Sequence, residues 1–170
     1  GYGESVLKRV ADVPEQSENV RVLSKNISVK TVGFCEKYVV FKIEQDQFTG
    51  GAHPNYFANY VNYDLKNKRV LTYANIFKQG CDDALLPILK NALLHNYYAE
   101  TLDEVAEKSG IFIDELFVSH KLYLTGDDIV FFYNPSDIGP WAIGTVEISV
   151  PVDELTDFMS DYGKALYGIK

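Results

Sequence analysis

The fold of this chain is decided by residues 38–64, which read YVVFKIE at 38–44, GGAHP at 50–54 and NYFANYVNYD at 55–64. Both outer runs are rich in β-branched and aromatic residues, which favour strands. The paired glycines allow the positive φ angles of a tight turn, and Pro54 keeps the residue before it extended. The stretch therefore predicts an antiparallel hairpin, and a plain hairpin does not require His53.

Outward from this hairpin, the sequence predicts an α+β domain. Alternating or continuous apolar runs indicate strands, and apolar residues at helical spacing after capping residues indicate helices. The predicted strands are 27–32, 38–46, 56–62, 117–124, 129–133 and 142–150; the predicted helices are 72–77, one from Asp82 or Asp83 through Leu94, 101–110 and 152–167. This β-β-β-α-α-β-β-β-α order predicts a mainly antiparallel sheet with helices packed on one face. We interpret residues 1–19 as a lead-in or linker and residues 20–168 as a single domain.

The composition excludes several classes of protein. Hydrophobic residues make up 46% and charged residues 24% of the 170 positions, which is ordinary for a globular domain. The 24 acidic and 16 basic residues give a net charge of −8. Such a chain repels nucleic acid and anionic membranes, so we expect neither as a partner. It attracts a cationic protein or a cation, although a negative surface also serves solubility alone.

The two cysteines, Cys35 and Cys81, have no metal-type spacing. They pair as one disulfide in an extracytoplasmic domain only if the fold brings them together, which the sequence does not show. No apolar run reaches the length of a transmembrane helix, and the chain shows no signal peptide at Gly1.

The sequence contains none of the usual patterns of catalytic or metal-binding residues. His53, His95 and His120 form no metal-ligand pair, and there is no nucleophile elbow or phosphate-binding glycine loop. We therefore expect no enzyme activity, no cofactor and no metal. For His53 we predict an imidazole–backbone hydrogen bond that holds the hairpin. A hydrolase that uses His53 and a nearby carboxylate is the competing hypothesis.

A second distinctive segment, which we call the second loop, spans residues 133–144 and contains two prolines and two glycines together with Tyr133 and Trp141. One interpretation is a rigid, aromatic-flanked recognition loop that includes Asp137. The other is that Trp141 fills the core and the prolines only route the chain. The candidate binding residues are His53, Tyr133, Asp137 and Trp141.

Several stretches in order along residues 20–160 resemble the DUF3298 family of extracytoplasmic bacterial domains. They are Gly50–His53, Asn62–Leu65, Leu71–Phe77, Phe131–Pro135, Asp137-Ile138, Pro140–Ala142, Gly144, Ile148–Pro151 and Glu154-Leu155. The chain departs from the family in two places, because Trp141 replaces a tyrosine and Ser136-Asp137 replaces a Tyr-Glu pair.

The resemblance implies a function as well as a fold. The family includes the lysozyme-binding domain of a sigma-V-type anti-sigma factor and a domain of some polysaccharide-deacetylase proteins. By resemblance, we expect an extracytoplasmic, non-catalytic binding module, tethered to the membrane through a segment ahead of Gly1. The implied partner is a cationic protein such as lysozyme, or peptidoglycan. The alternatives are a cell-wall carbohydrate-binding domain and a cell-wall hydrolase.

Overall fold

The computed structural model describes residues 23–48, 50 and 55–169, and their strands form two antiparallel sheets. The first sheet has the order β1-β2-β3-β4 and the second has the order β5-β6-β7. The strands are β1 (Ser24–Phe34), β2 (Tyr38–Phe48), β3 (Asn55–Asp64), β4 (Arg69–Leu71), β5 (Leu122–Leu124), β6 (Asp128–Tyr133) and β7 (Val146–Pro151). The predicted α+β class with antiparallel pairing is confirmed.

The helices occupy two parts of the chain, between the two sheets and at the C-terminal end. They are α1 (Tyr73–Ile76), α2 (Asp82–Asn96), α3 (Leu102–Ser109), α4 (Val152–Leu155) and α5 (Asp161–Tyr167), with short 3-10 turns at Ile113–Glu115, Trp141–Ile143 and Thr156–Phe158. Thr101 caps α3 as predicted, because its Oγ1 accepts a hydrogen bond from Glu104 N at 3.2 Å. Gly110, at φ 75°, ends the same helix.

The core lies between the inner face of the first sheet, the second sheet and the helices. Val40 and Leu71 from the first sheet, Ile148 from the second and Leu89 from α2 are all buried. Alternation brings Tyr38 and Val40 of β2 to this core, whereas β1 contributes no buried residue. The opposite side chains of β1, β2 and β3 are half-buried or exposed.

Two buried asparagines fasten the first sheet to the rest of the domain. Asn62 of β3 donates from Nδ2 to Leu122 O at 2.8 Å and accepts from Leu124 N at 2.9 Å. The Oδ1 atom of Asn134 accepts from Ala58 N at 2.9 Å. The side-chain amides of Asn62 and Asn134 therefore pair with backbone groups that a neighbouring strand would pair with in a continuous sheet.

Three predicted elements differ from the structure. The strand predicted at 117–124 is shorter, because Ser119 Oγ hydrogen-bonds the Phe132 carbonyl oxygen and the Lys121 amide where ladder bonds would otherwise form. The strand predicted from 142 begins at Val146, after a 3-10 turn that ends at Gly144 with φ 75°. The N-cap of α2 is Cys81 rather than Asp82 or Asp83, which lie in its first turn.

The predicted terminal helix at 152–167 is also divided. Met159 is extended and forms an isolated antiparallel bridge with Phe77, which interrupts the helix. Ser160 then caps α5, since its Oγ accepts from Gly163 N at 2.9 Å. The apolar spacing that predicted one helix remains, with Leu155, Met159 and Leu166 in the core.

Candidate functional site

The four predicted binding residues do not form one site in the described part of the structure. His53 lies outside the described residues. Tyr133 is fully buried, and its hydroxyl donates to Phe117 O at 2.6 Å. It therefore supports the loop from below and has no surface to offer to a partner in this conformation.

Asp137 and Trp141 have different positions in the second loop. Asp137 Oδ2 accepts from Asn134 N at 2.8 Å and from Lys121 Nζ at 3.0 Å, so it holds the shape of the loop. Trp141 retains 47% of its surface exposed. The interpretation of Trp141 as a core plug is therefore wrong; buried Ile138 has that position instead.

A second arrangement, centred on Glu147, brings together residues that are far apart in the sequence. The hydroxyls of Tyr60 and Tyr123 donate to Glu147 Oε1 at 2.8 Å and Oε2 at 3.0 Å, respectively. The two tyrosine rings stack with their centroids 4.1 Å apart. We call Tyr60, Tyr123 and Glu147 the Glu147 site.

The electrostatics of the Glu147 site favour hydrogen-bond donation from both phenols. Burial, and then the hydrogen bond and negative charge of Glu147, raise the pKa of Tyr60 above its ordinary value. Burial and Glu147 likewise raise the pKa of Tyr123. Both phenols consequently stay protonated at neutral pH. Among the described residues, Glu147 has these two tyrosine donors and no cationic partner.

Two members of the Glu147 site, Tyr123 and Glu147, line an open groove of about 630 Å³. The end of α2 and the residues after it form one side, where the Tyr98 side chain is 92% exposed. Tyr98 adopts a positive φ of 49°, which is uncommon for a residue with a side chain. The groove thus combines a carboxylate with the tyrosine side chains of Tyr97, Tyr98 and Tyr123, a composition typical of a protein-recognition surface.

A second carboxylate lies next to this site on the same face of the first sheet, but it is already paired. Glu44 accepts from Lys42 Nζ at 3.0 Å, Tyr56 hydroxyl at 2.9 Å and Lys30 Nζ at 3.2 Å. Lys42 also lies 5.8 Å from the centre of the Tyr60 ring. The local cations are therefore committed to Glu44.

The pairing of Glu44 predicts a pH effect on stability. The hydrogen bond from Lys42, followed by those from Tyr56 and Lys30, lowers the pKa of Glu44 from 4.5 to about 2. Ionised Glu44 therefore stabilises the folded state above pH 4.5, and this contribution is lost as the pH falls towards 2. We expect Glu44→Gln to flatten the dependence of the unfolding free energy on pH in that window, measured by urea unfolding. Parallel curves for both proteins would contradict this role.

A separate open pocket of about 560 Å³ lies near the start of α2 and is lined by His120. The ring of His120 stacks on Tyr73 at 3.9 Å, and its Nε2 lies 2.9 Å from Asp82 Oδ2. The Tyr73 hydroxyl donates to Asp82 Oδ1 at 2.6 Å. This hydrogen bond lowers the pKa of Asp82; burial acts in the opposite direction, and the contact with His120 lowers the pKa further. An imidazole oriented by a carboxylate is a component of general-base chemistry.

Two possible nucleophiles in or beside this pocket, Tyr73 and Cys81, are engaged in structural contacts. The hydroxyl of Tyr73 is bound to Asp82, and Cys81 Sγ donates to the Lys78 carbonyl oxygen at 3.0 Å. Cys35 and Cys81 are both free, so they do not pair as a disulfide. No cluster of three metal-ligating side chains occurs among the described residues. Within the same part of the chain, no helix is long and apolar enough to cross a membrane.

Three comparisons place the chain among known proteins. Residues 74–153 match a family model described as "Protein of unknown function (DUF3298)". A crystal structure of a DUF3298 family member from Bacteroides fragilis is 26% identical with a TM-score of 0.77, and the match covers 96% of this chain and 64% of that chain. The structure of a DUF3298 family protein from Pseudomonas aeruginosa shares the fold, with 20% identity, a TM-score of 0.67, and coverage of 82% and 63%.

More distant sequence similarity links the chain to two mycobacterial proteins. "Immunogenic protein MPB64" of Mycobacterium bovis and "Immunogenic protein MPT64" of Mycobacterium tuberculosis are each 25% identical over 114 residues. The matched segment is 66% of this chain and 47% of each relative. It thus spans about half the length of these relatives.

Proposed function

Since the chain belongs to the DUF3298 family, we propose that it is a non-catalytic binding module of the bacterial envelope that recognises a cationic protein of the lysozyme type. The observation that carries this proposal is the Glu147 carboxylate, which accepts hydrogen bonds from two stacked tyrosines and lines an open groove. Its place outside the cytoplasm, and a membrane tether, rest on the resemblance alone.

The Glu147 site has the chemistry to receive a lysine or arginine side chain. Each oxygen of the Glu147 carboxylate accepts a hydrogen bond from one tyrosine hydroxyl. Each also has a second lone pair that can accept a hydrogen bond from a charged donor. The neighbouring tyrosine rings offer faces on which a cation is attracted by the ring quadrupole. A cationic side chain from a partner would therefore find an ion pair and aromatic contacts at one place.

The overall charge supports the same class of partner. A net charge of −8 attracts a cationic protein over a distance set by the ionic strength. Such steering raises the association rate, and local contacts such as those at Glu147 then determine how long the complex lasts.

A second candidate is recognition of cell-wall carbohydrate. Tyr98 at the groove and Trp141 in the second loop expose 92% and 47% of their surfaces, so both present ring surface to solvent. Aromatic faces combined with a carboxylate also suit sugar rings and their hydroxyls. Soluble muropeptides would then bind in the groove without depending strongly on salt.

Calorimetric titration with a c-type lysozyme tests the first candidate. We expect binding that weakens about tenfold between about 20 mM and about 200 mM NaCl, because the contact is electrostatic. Soluble muropeptides, titrated in the same way, are expected to give no heat. No lysozyme binding at high micromolar concentration would reject this partner, and muropeptide binding that shifts Trp141 fluorescence would favour carbohydrate.

A further inference from the structure

The first sheet has an outer face that the domain core does not cover. Its side chains alternate with those that enter the core, so they project from the opposite side of the sheet. We define the outer face by the apolar residues Ile27, Val29, Phe34, Val39, Phe41, Ile43, Phe57, Val61, Tyr63 and Val70. None of them belongs to the buried core or packs against it.

Five of these side chains are largely open to solvent. The exposed fractions are 58% for Ile27, 60% for Val29, 82% for Phe34, 53% for Phe57 and 50% for Val70. The other five are half-buried, between neighbouring strands of the same sheet. Contiguous apolar patches of this size on a protein surface generally mark an interaction site.

The outer face carries no charge between Ile27 and Phe34 of β1. Its rows across the sheet are Ile27-Gln45-Phe57, Val29-Ile43-Asn59, Thr31-Phe41-Val61 and Phe34-Val39-Tyr63-Val70. Lys30 and Glu44 project from the other side, and Lys25, two residues before Ile27, is a charged residue at the edge of the outer face. A charged partner would therefore find no complementary group within the apolar rows themselves.

We propose that the outer face binds the outer face of a second copy of this chain. Two copies related by a two-fold axis would present the same uncharged strands to each other, as self-complementary interfaces require. Two antiparallel sheets pack face to face about 10 Å apart in this way, with their side chains interleaved. The pair would form a β-sandwich in which each chain supplies one layer.

The size and charge of the surface favour a second copy. The ten apolar side chains together offer on the order of 700 Å² of accessible surface. A stable interface takes about 800 Å² from each partner, so the patch is close to that size. Each chain carries a charge of −8, and an uncharged contact lets two such chains meet without burying like charges. The Glu147 site lies on the opposite side of the sheet and stays accessible.

Sedimentation velocity of the whole chain tests this proposal, with a pair of matched variants. We expect the wild type to change from monomer to dimer between about 1 and 100 μM, which corresponds to a micromolar dissociation constant. Val29→Lys is expected to raise this constant at least tenfold by placing a charge in the apolar contact. Ser28→Lys adds the same charge to the next residue, on the other side of the strand, and is expected to leave it within twofold.

The melting temperature keeps the test decisive if a variant is perturbed. A dimer makes the melting temperature rise with protein concentration in the wild type and in Ser28→Lys, but not in Val29→Lys. A monomer at every concentration would overturn the proposal. If the protein were monomeric and Val29→Lys lowered its melting temperature, another part of the same chain would cover the outer face. If the melting temperature were unchanged, the outer face would instead bind a different protein.

Discussion

Asn62→Leu is expected to destabilise the protein by about 2–5 kcal/mol, the largest effect of any single substitution considered. The Asn62 side chain is only 2% exposed and supplies both a donor to Leu122 O and an acceptor to Leu124 N. Leucine fills a similar volume but makes neither bond. Two buried backbone groups of β5 would lose their partners, each at a cost of about 1–3 kcal/mol.

Urea unfolding at a low protein concentration measures this effect, and Asn59→Leu is the matched control. Asn59 lies on the same strand but is exposed, and its Oδ1 accepts only from the adjacent Tyr60 N at 3.0 Å. We expect the control to change the unfolding free energy by less than about 1 kcal/mol. Equal losses for the two variants would show that Asn62 does not join the sheets energetically.

Gly163→Ala is expected to destabilise the protein by about 3 kcal/mol, although alanine normally favours a helix. A Cβ atom at this buried position of α5 would overlap the carbonyl oxygen of Ile76 and approach its carbonyl carbon to 3.1 Å. The clash is with backbone, so no side chain can rotate away. The same Ile76 oxygen, at the end of α1, accepts a hydrogen bond from Ser160 N at 2.9 Å. A shift of α5 away from Ile76 would disturb this hydrogen bond.

Gly126→Ala provides the control for this second prediction. Gly126 lies in the turn between β5 and β6, where an added Cβ meets no atom within 4 Å. Its φ lies outside the left-handed region, so we expect alanine there to be neutral or to stabilise by up to about 1 kcal/mol. Thermal and urea unfolding of both variants measure the difference; a Gly163→Ala protein as stable as Gly126→Ala would exclude the close approach of α5 to α1.

Local patterns in the sequence were sufficient to predict most of the fold. The aromatic and β-branched runs at 38–46 and 56–62 form paired strands, and Thr101 and Gly110 begin and end their helix as capping chemistry requires. The division into two sheets was not predictable in this way. It depends on Asn62, whose amide substitutes for strand neighbours, and an asparagine in a β run carries no sign of that tertiary role.

The Glu147 site was not predictable because its members lie on three strands. Tyr60, Tyr123 and Glu147 are separated by more than twenty residues each, and only the junction of the two sheets brings them together. The sequence offers the loop at 133–144 as a candidate recognition surface, because its prolines and glycines are locally conspicuous. That loop is instead shaped from within by Asp137 and by the buried Tyr133.

The outer face has a signal in the sequence. Along β2, Val39, Phe41 and Ile43 alternate with Val40, so both sides of the strand include apolar residues. Strands of an antiparallel sheet with one side in water normally alternate apolar with polar residues. Apolar residues on both sides therefore indicate that a second layer covers the sheet, which is the position we propose for a second copy of the chain.

The most direct test of the proposed function compares Glu147→Gln with Glu36→Gln in lysozyme titrations at low salt. Both substitutions remove one negative charge, but the two residues lie far apart. Glu36 lines a different depression beside Gly126, just before the start of β6, whereas Glu147 pairs with Phe132 near the end of β6. If Glu147 receives a cationic side chain, Glu147→Gln should weaken binding about tenfold, while Glu36→Gln should stay within about twofold. Equal weakening by both variants would attribute binding to net charge alone, and wild-type affinity in Glu147→Gln would contradict the assignment of this site.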